Sequence, residues 1–174
     1  RLKLYGVKSE NIILTGYPLP KENIGGESLE ILKKDLSYRI LNLDPTGKYQ
    51  RMYGPLIKGY LGDLPKLPNH PLTIMFSIGG AGAQKEIAFQ IIKSLKEKIK
   101  AKQVRFIISV GTRKELQDYF LEKMKDWELD GWLQLLLGKT TKEYFKKFNT
   151  ALRTTDILMT KPSELYFYAG LGIP

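Results

Sequence analysis

The sequence has no cysteine and a single histidine, and both shortages restrict its chemistry. The absence of cysteine excludes disulfide bonds, thiolate nucleophiles and zinc sites with cysteine ligands. His70 cannot form a metal site by itself, and its place between Asn69 and Pro71 predicts an exposed loop residue. We therefore expect neither a bound metal nor a cofactor.

Long apolar runs are also missing. No stretch approaches the length of a membrane-spanning helix, and residues 1–6 contain no hydrophobic signal core, so we expect a cytoplasmic location. The chain has 174 residues, of which 43% are hydrophobic and 26% are charged. This length and composition are typical of one globular domain, and we expect residues 1–174 to form a single domain.

The charge balance is strongly basic, with a formal net charge of +10. Clustered lysines attract the phosphates of nucleic acids and membrane surfaces over a distance. The densest run of basic residues lies largely on the polar side of a predicted helix, and a solvated helix face is the simpler explanation for it. The run comprises Lys93, Lys96, Lys98, Lys100, Lys102 and Arg105. No aromatic-rich RNA-binding pattern accompanies this run, so nucleic acid is not an expected partner.

A buried strand that runs into a glycine turn is the most informative stretch. Residues 72–78 are mostly apolar, and Gly79, Gly80, Ala81 and Gly82 follow before an amphipathic helix begins. Glycines let a phosphate approach the backbone, and the positive end of the helix dipole favours its charge. The turn matches neither the dinucleotide-binding fingerprint nor a P-loop. It predicts an anion site, and a tight connection of steric origin is the alternative.

Strands and helices alternate regularly through the second half of the chain. Apolar runs predict further strands over 104–110, 132–137 and 156–160. This alternation predicts an α/β fold, an open parallel sheet with helices on both faces. Ligands of such sheets bind beyond the carboxyl ends of the strands. The predicted ligand edge therefore includes the Gly79 turn, Gly111 at the end of the second strand, and a turn at Lys161.

The first part of the chain is less regular. A short apolar run predicts a strand over 11–15, and a helix over 29–42 is expected with Ser28 as its cap. Glycine and proline recur through residues 43–71. This composition predicts a loop-rich insertion with at most a short helix.

Several motifs together resemble a known enzyme family. The sequence Gly-Gly-Ala-Gly-Ala at 79–83 precedes Thr-Asp-Ile-Leu-Met-Thr-Lys-Pro at 155–162, and Gly-Ile-Pro follows at 172–174. This arrangement resembles the C-terminal, donor-binding half of a GT-B glycosyltransferase. The likeness is in particular to monogalactosyldiacylglycerol synthases and to the enzyme that adds N-acetylglucosamine to the lipid-linked peptidoglycan precursor. Residues 5–18 are similar to the segment by which those chains enter their second domain.

The resemblance implies a Rossmann-like domain that binds a nucleoside-diphosphate sugar, with a UDP-sugar as the expected donor. Leu136 and the residues up to Gly138 would meet the nucleotide base largely through the main chain. Backbone N–H groups would approach the donor diphosphate at Gly79, Gly80, Ala81 and Gly82.

The resemblance also implies a second phosphate-facing turn, formed by Lys161, Pro162 and Ser163. The family places an acidic residue for the donor ribose five positions before the glycine of its closing motif. Counted back from Gly172, that position holds Phe167, and the nearest acid is Glu164. Ribose recognition by Glu164 is therefore a hypothesis, and an ordinary acid in the first turn of a helix is the alternative.

GT-B enzymes carry the acceptor site and the general base mostly in an N-terminal domain, which this sequence lacks. We therefore expect the chain to be a truncated piece of a two-domain protein that is inactive alone, and no catalytic residue is assigned. The enzymes it resembles act on lipid acceptors, so an anionic membrane surface is a further expected partner, with peripheral attachment.

Two other functions stay open. A nucleotide-sugar 2-epimerase shares the architecture but needs carboxylates and a basic residue facing the sugar, and no such cluster stands out in the sequence. A basic, non-enzymatic module that binds nucleic acid or anionic surfaces would explain the charge, with the glycine turn as a tight connection. Steeply salt-dependent binding without preference among nucleotides would indicate this module.

Overall fold

The computed structural model describes residues 1–14, 18–78, 84–127, 131–161 and 168–174. These residues form a parallel sheet and the helices that surround it. The strands are β1 (Thr73–Ser77), β2 (Arg105–Gly111), β3 (Leu133–Leu137) and β4 (Ile157–Met159). Their order is β3-β2-β1-β4, and every pairing is parallel. The predicted α/β fold is confirmed, and each of these strands lies within one residue of its predicted bounds.

Helices precede the sheet and connect its strands. Before β1 lie α1 (Lys21–Ile24), α2 (Glu30–Leu43) and α3 (Lys48–Leu61). The connections between successive strands are α4 (Lys85–Lys100), α5 (Lys114–Met124) and α6 (Thr141–Leu152). None of the helices that the structure describes is long and apolar enough to cross a membrane.

Apolar side chains cover both faces of the sheet, because successive side chains of a strand point to opposite faces. On one face α4 and α5 contribute Ile92 and Phe120 to a core that includes Ile74, Phe76, Phe106 and Ile108. On the other face α6 contributes Phe148 and Leu152 to a core that includes Met75, Ile107, Leu136 and Leu158. The strands are mostly apolar because helices cover both faces of the sheet, although Gln134 of the edge strand β3 is exposed.

Buried polar side chains join α1 and α2 to α6. Asn23 donates through Nδ2 to the carbonyl of Asn149 at 2.8 Å, and Arg153 donates through Nε to Oδ2 of Asp35 at 3.0 Å. Arg39, also on α2, is 4% exposed and donates to several backbone carbonyls. The first part of the chain is therefore attached by hydrogen bonds as well as by apolar contacts.

The predicted helix over 29–42 is confirmed as α2, but Ser28 does not cap it. The Ser28 hydroxyl donates to a carboxylate oxygen of Glu30 at 2.8 Å, and the other oxygen accepts from the N–H of Gly26 at 2.8 Å. Leu29 precedes the helix with φ at 57°, a left-handed conformation. The Glu30 side chain therefore satisfies a free N–H before the helix, and the serine supports that carboxylate.

The strand predicted over 11–15 is wrong for the residues that are described. Ser9–Asn11 form a turn of 3₁₀ helix, and Ile13 and Leu14 are exposed outside the sheet. Thr15 lies outside the described residues. A short apolar run becomes a strand only where a neighbouring strand satisfies its backbone, and none pairs with residues 11–14.

Residues 43–71 contain more helix than the sequence predicts. Helix α3 has 14 residues and bends at Tyr53, where φ is −116° and ψ is 17°. The bend directly precedes Gly54 and Pro55, and Pro55 has no N–H to complete the helical ladder. The proline bends this helix and does not end it, which explains why the expectation of at most a short helix was wrong.

Candidate functional site

The strand order creates a switch point at the carboxyl edge of the sheet. From the central strand β1 the chain moves to β2 and β3 on one side, and it then crosses to β4 on the other. Phe76 of β1 pairs with Met159 of β4, so the ends of these two strands lie side by side. Ile78 directly follows β1, and Lys161 lies two residues after β4. Open α/β sheets bind ligands in the crevice at such a point.

The predicted site residues fall partly inside the described structure. Lys161 lies two residues beyond the end of β4 and is half-buried, Gly111 ends β2, and Leu136 is buried in β3. All three therefore lie at or near the carboxyl ends of strands in one parallel sheet. The remaining predicted residues lie outside the described residues, and they are Gly79, Gly80, Ala81, Gly82, Pro162, Ser163 and Glu164.

Backbone hydrogen bonds extend the sheet beyond the ends of its strands. Ile78 donates its N–H to the carbonyl of Ser109 at 3.0 Å, and Gly138 donates its N–H to the carbonyl of Gly111 at 3.0 Å. Gly111 has φ at 72°, which favours glycine. A Cβ atom at Gly138 would overlap the backbone nitrogen of Tyr144 on α6. Glycine at 138 therefore lets the end of β3 lie directly against the first turn of α6.

The first turn of α6 forms a closed polar network beside the end of β3. Thr140 accepts the N–H of Glu143 at 3.2 Å, and the Glu143 carboxylate accepts the N–H of Lys139 at 2.9 Å. Lys147 donates to Glu143 at 2.7 Å and to the carbonyl of Leu137 at 2.9 Å. The hydrogen bond from Lys147, with that from Lys139, holds the pKa of Glu143 below its ordinary value. The Leu137 carbonyl, predicted to face a base, thus already has a donor.

A hydroxyl pair lies beneath this edge. Ser109 Oγ, fully buried in β2, is 2.9 Å from the phenolic oxygen of Tyr144 on α6. The pair fixes the aromatic ring of Tyr144 against the sheet, next to Gly138. Nothing in the local sequence around Tyr144 indicates the serine partner across the sheet.

Gln84 marks the start of α4 on the other side of the switch point. It immediately precedes Lys85, the first residue of α4. Its Oε1 is buried and has no hydrogen-bond partner among the residues that the structure describes. A buried amide oxygen without a donor is costly, so this atom can accept a hydrogen bond from a group that enters next to the helix start.

A second polar cluster lies at the opposite, amino edge of the sheet. Asp156 directly precedes β4 and is fully buried; its Oδ2 accepts the N–H of Thr73 at 2.8 Å and the amide of Asn42 at 3.0 Å. His70 Nε2 lies 3.2 Å from Oδ1, and its Nδ1 lies 2.6 Å from Oδ1 of Asn69. The His70 side chain is 6% exposed, so the predicted exposed loop residue is wrong.

Two arginines surround this cluster. Arg39 is buried, and that burial lowers its pKa while the charge of Asp156 opposes the shift. Arg105 donates through Nε to Oγ1 of Thr73 at 3.0 Å and through Nη2 to Oγ1 of Thr154 at 2.7 Å. Thr73 is the first residue of β1, so the cluster lies far from the strand ends where ligands bind. Its geometry is that of a structural network which neutralises a buried carboxylate.

Sequence reasoning missed this network. The available signal is polar side chains at 35, 39 and 42, spaced by four and three on one face of α2. A second signal is an aspartate immediately before an apolar strand. No group of three or more histidine, aspartate or glutamate side chains in the described part of the chain could hold a metal ion.

Comparison with known proteins identifies one family match. Residues 66–149 match the model of a family described as a domain of unknown function, DUF6938. The match runs from the loop before β1 into α6, so it covers the Gly79 turn and the end of β3. No curated protein and no solved structure matches the chain.

Proposed function

We propose that this chain is the donor-binding domain of a glycosyltransferase, which binds a nucleoside-diphosphate sugar and is inactive alone. The single observation that supports this most is the strand order β3-β2-β1-β4. In this order β1, which precedes the predicted turn at 79–83, is paired with β4, which precedes the predicted turn at 161–164. A parallel sheet with one such crevice is typical of nucleotide binding.

The chemistry of this crevice suits a diphosphate. Helix α4 begins after the glycine turn, so its free N–H groups and dipole favour negative charge at this place. Lys161 supplies a cation at the neighbouring strand end. In a transfer reaction these groups would stabilise the nucleoside diphosphate as it leaves the sugar, because they favour the charge that develops on the leaving oxygen. The buried Oε1 of Gln84 adds an acceptor suited to a hydroxyl of the ligand.

The nucleotide base would lie at the ends of β2 and β3. Gly111 and Gly138 are hydrogen-bonded to each other there, and neither presents a side chain. A flat base could therefore approach the main chain closely. A UDP-sugar is the donor we propose, with a lipid as the acceptor and a cytoplasmic, membrane-peripheral location.

The test is calorimetric titration of the 174-residue chain with UDP, GDP, ADP and CMP at two salt concentrations. Two variants accompany it, Gly80→Asp in the glycine turn and Lys161→Gln. A charge-assisted phosphate contact contributes ~1.5 kcal/mol, so Lys161→Gln should weaken binding about tenfold. Lys100→Gln is the matched control, because Lys100 is an exposed lysine at the end of α4, and only the start of that helix lies at the crevice.

Saturable binding of one nucleoside diphosphate that Gly80→Asp abolishes would support a donor domain and identify its base. The Lys100→Gln variant should then bind like the parent. If no nucleotide binds while duplex DNA binds in a salt-sensitive manner, the proposal is wrong and the basic binding module is the better account. Circular dichroism of each variant separates lost binding from lost folding.

A further inference from the structure

Helix α3 carries an apolar surface that faces solvent. Five of its side chains are between 42% and 70% exposed, and they form what we call the α3 surface, Tyr49, Met52, Tyr53, Leu56 and Tyr60. Their spacings of three and four residues place them along one side of a helix. Ile57 points inward and is buried, so it anchors the helix to the rest of the domain. A contiguous exposed patch of this kind on a soluble domain is typical of an interaction site.

The surface continues into an apolar cavity between α3 and α2. The cavity has a volume of about 620 Å³, and Leu36, Ile40, Leu43, Leu56 and Tyr60 are among the residues that line it. Leu56 and Tyr60 therefore belong to both the exposed surface and the cavity wall. The apolar region is larger than the five exposed side chains alone.

The charges on α3 have one sign. The helix contains Lys48, Arg51 and Lys58 and no acidic residue, and all three cations are exposed. Asp63, beyond the end of α3, pairs with Lys58 at 3.1 Å. The apolar side thus belongs to a basic helix on a chain whose net charge is +10.

These observations favour a membrane surface over a second copy of the chain. In a twofold dimer through α3, the cations of both copies would approach each other, and the helix offers no acid to pair with them. An anionic bilayer supplies the opposite charge. Tyrosine is also suited to the membrane interface, because its ring is apolar and its hydroxyl can reach water.

We propose that the α3 surface docks onto an anionic lipid bilayer, with α3 lying parallel to the membrane. The apolar side chains enter the boundary between headgroups and acyl chains, and the lysines and arginine remain near the phosphates. This inference deepens the membrane-peripheral location of the proposed function by naming the surface that makes the contact, and the contact itself does not require nucleotide binding. It also assigns the contact to α3 and not to the lysine-rich face of α4.

The experiment is flotation of the 174-residue chain with vesicles of phosphatidylcholine alone or of phosphatidylcholine mixed with phosphatidylglycerol. We expect binding to the mixed vesicles that weakens as salt rises. The variant Leu56→Ser/Tyr60→Ser removes two half-exposed apolar side chains and should bind about tenfold more weakly. Leu121→Ser on α5 is the matched control, because Leu121 and Leu56 are both 54% exposed.

Equal binding by the double variant and the Leu121→Ser control would overturn the proposal. Equal binding of the parent chain to both kinds of vesicle would also overturn it. A third such outcome is a dimer of the parent chain, measured by sedimentation, that the double variant no longer forms. Titration of the double variant with UDP is carried out in parallel. If it binds UDP like the parent yet fails to bind vesicles, membrane docking and donor binding are separate properties, and each can fail without the other.

Discussion

Arg39 offers the sharpest test of how the first part of the chain is held to the sheet. It lies on α2 and is 4% exposed. Its guanidinium donates at between 2.9 and 3.5 Å to the backbone carbonyls of Thr155, Leu171, Leu152 and Gly172. Its charge also acts on the buried carboxylate of Asp156. Arg39→Met keeps an unbranched side chain but removes every donor and the charge.

The expected cost of Arg39→Met is large. Removal of one charge from a buried charge cluster costs ~3–5 kcal/mol, and here the buried carboxylate of Asp156 loses the nearby positive charge of Arg39. This range includes the loss of the hydrogen bonds to the backbone carbonyls, since each hydrogen bond contributes on the order of 1 kcal/mol. A domain of this size is stabilised by only ~5–15 kcal/mol, so the variant should unfold at a much lower urea concentration.

The assay is urea unfolding followed by far-ultraviolet circular dichroism. Arg51→Met is the matched control, because Arg51 on α3 is exposed and donates only to the carbonyl of Thr46, at 2.9 Å, among the described residues. The control should change the free energy of unfolding by less than about 0.5 kcal/mol. If Arg39→Met costs less than about 1 kcal/mol, the network does not hold α2 as we argue. If that variant does not fold, Arg39→Lys, which keeps the charge, should fold with an intermediate loss.

Two further predictions concern glycine and pH. Gly138→Ala should destabilise the domain by ~1–3 kcal/mol in urea unfolding, since the added Cβ would overlap the backbone of Tyr144. Gly59→Ala in α3 adds a Cβ that meets no atom within 4 Å, so it should stabilise the domain by ~0.5–1 kcal/mol in the same assay. Burial opposes the ionised form of Asp44, but hydrogen bonds from the N–H groups at the start of α3 and from the Gln50 amide hold its pKa below 3.8. The stabilising contribution of ionised Asp44 is therefore complete above pH 3.8 and is lost as the pH falls through the lower pKa of the folded protein, so Asp44→Asn should destabilise near pH 6, and this destabilisation should diminish as the pH falls below 3.8.

The parallel sheet could be predicted from the sequence because its strands are buried on both faces. Runs such as residues 104–110 are mostly apolar and are followed by glycine, and each alternates with a helix of regular apolar spacing. These runs show where the strands lie along the chain, but they do not show which strands are neighbours in the sheet. The placement of β4 beside β1 came only from the structure, since it depends on long-range pairing such as Ile74 with Ile157.

The first part of the chain was less predictable because tertiary contacts override its local signals. Helix α2 buries the polar residues Asp35, Ser37 and Arg39, whereas its leucines are only half-buried or exposed. An amphipathic pattern assumes that apolar residues point inward, and this helix instead binds α6 through polar side chains. At Pro55 the local signal indicated an end, but the packing of Ile57 maintains the helix.

The candidate site shows a comparable division. The sequence indicated that Gly111 and Lys161 belong to the same carboxyl edge, because parallel strands end on one side of a sheet. It could not indicate that Lys147 already donates to the carbonyl of Leu137, or that Ser109 meets Tyr144. Those contacts join residues from different elements, and their geometry depends on how α6 lies across the sheet.

The two edges of the sheet divide stability from ligand binding. Asp156, His70 and Arg105 lie at the amino edge, where their hydrogen bonds close the start of β1 against the start of β4. Ile78 and Lys161 lie at the carboxyl edge of the same two strands, and the length of the sheet separates that edge from the buried charges. Substitutions at Asp156 should therefore lower the free energy of unfolding and leave the affinity of the folded domain for a nucleotide unchanged. Substitution of Lys161, which is only half-buried, should do the reverse. If substitutions at Asp156 and at Lys161 weakened nucleotide binding equally, the ligand would not lie at the carboxyl edge alone, and the proposed crevice would be wrong.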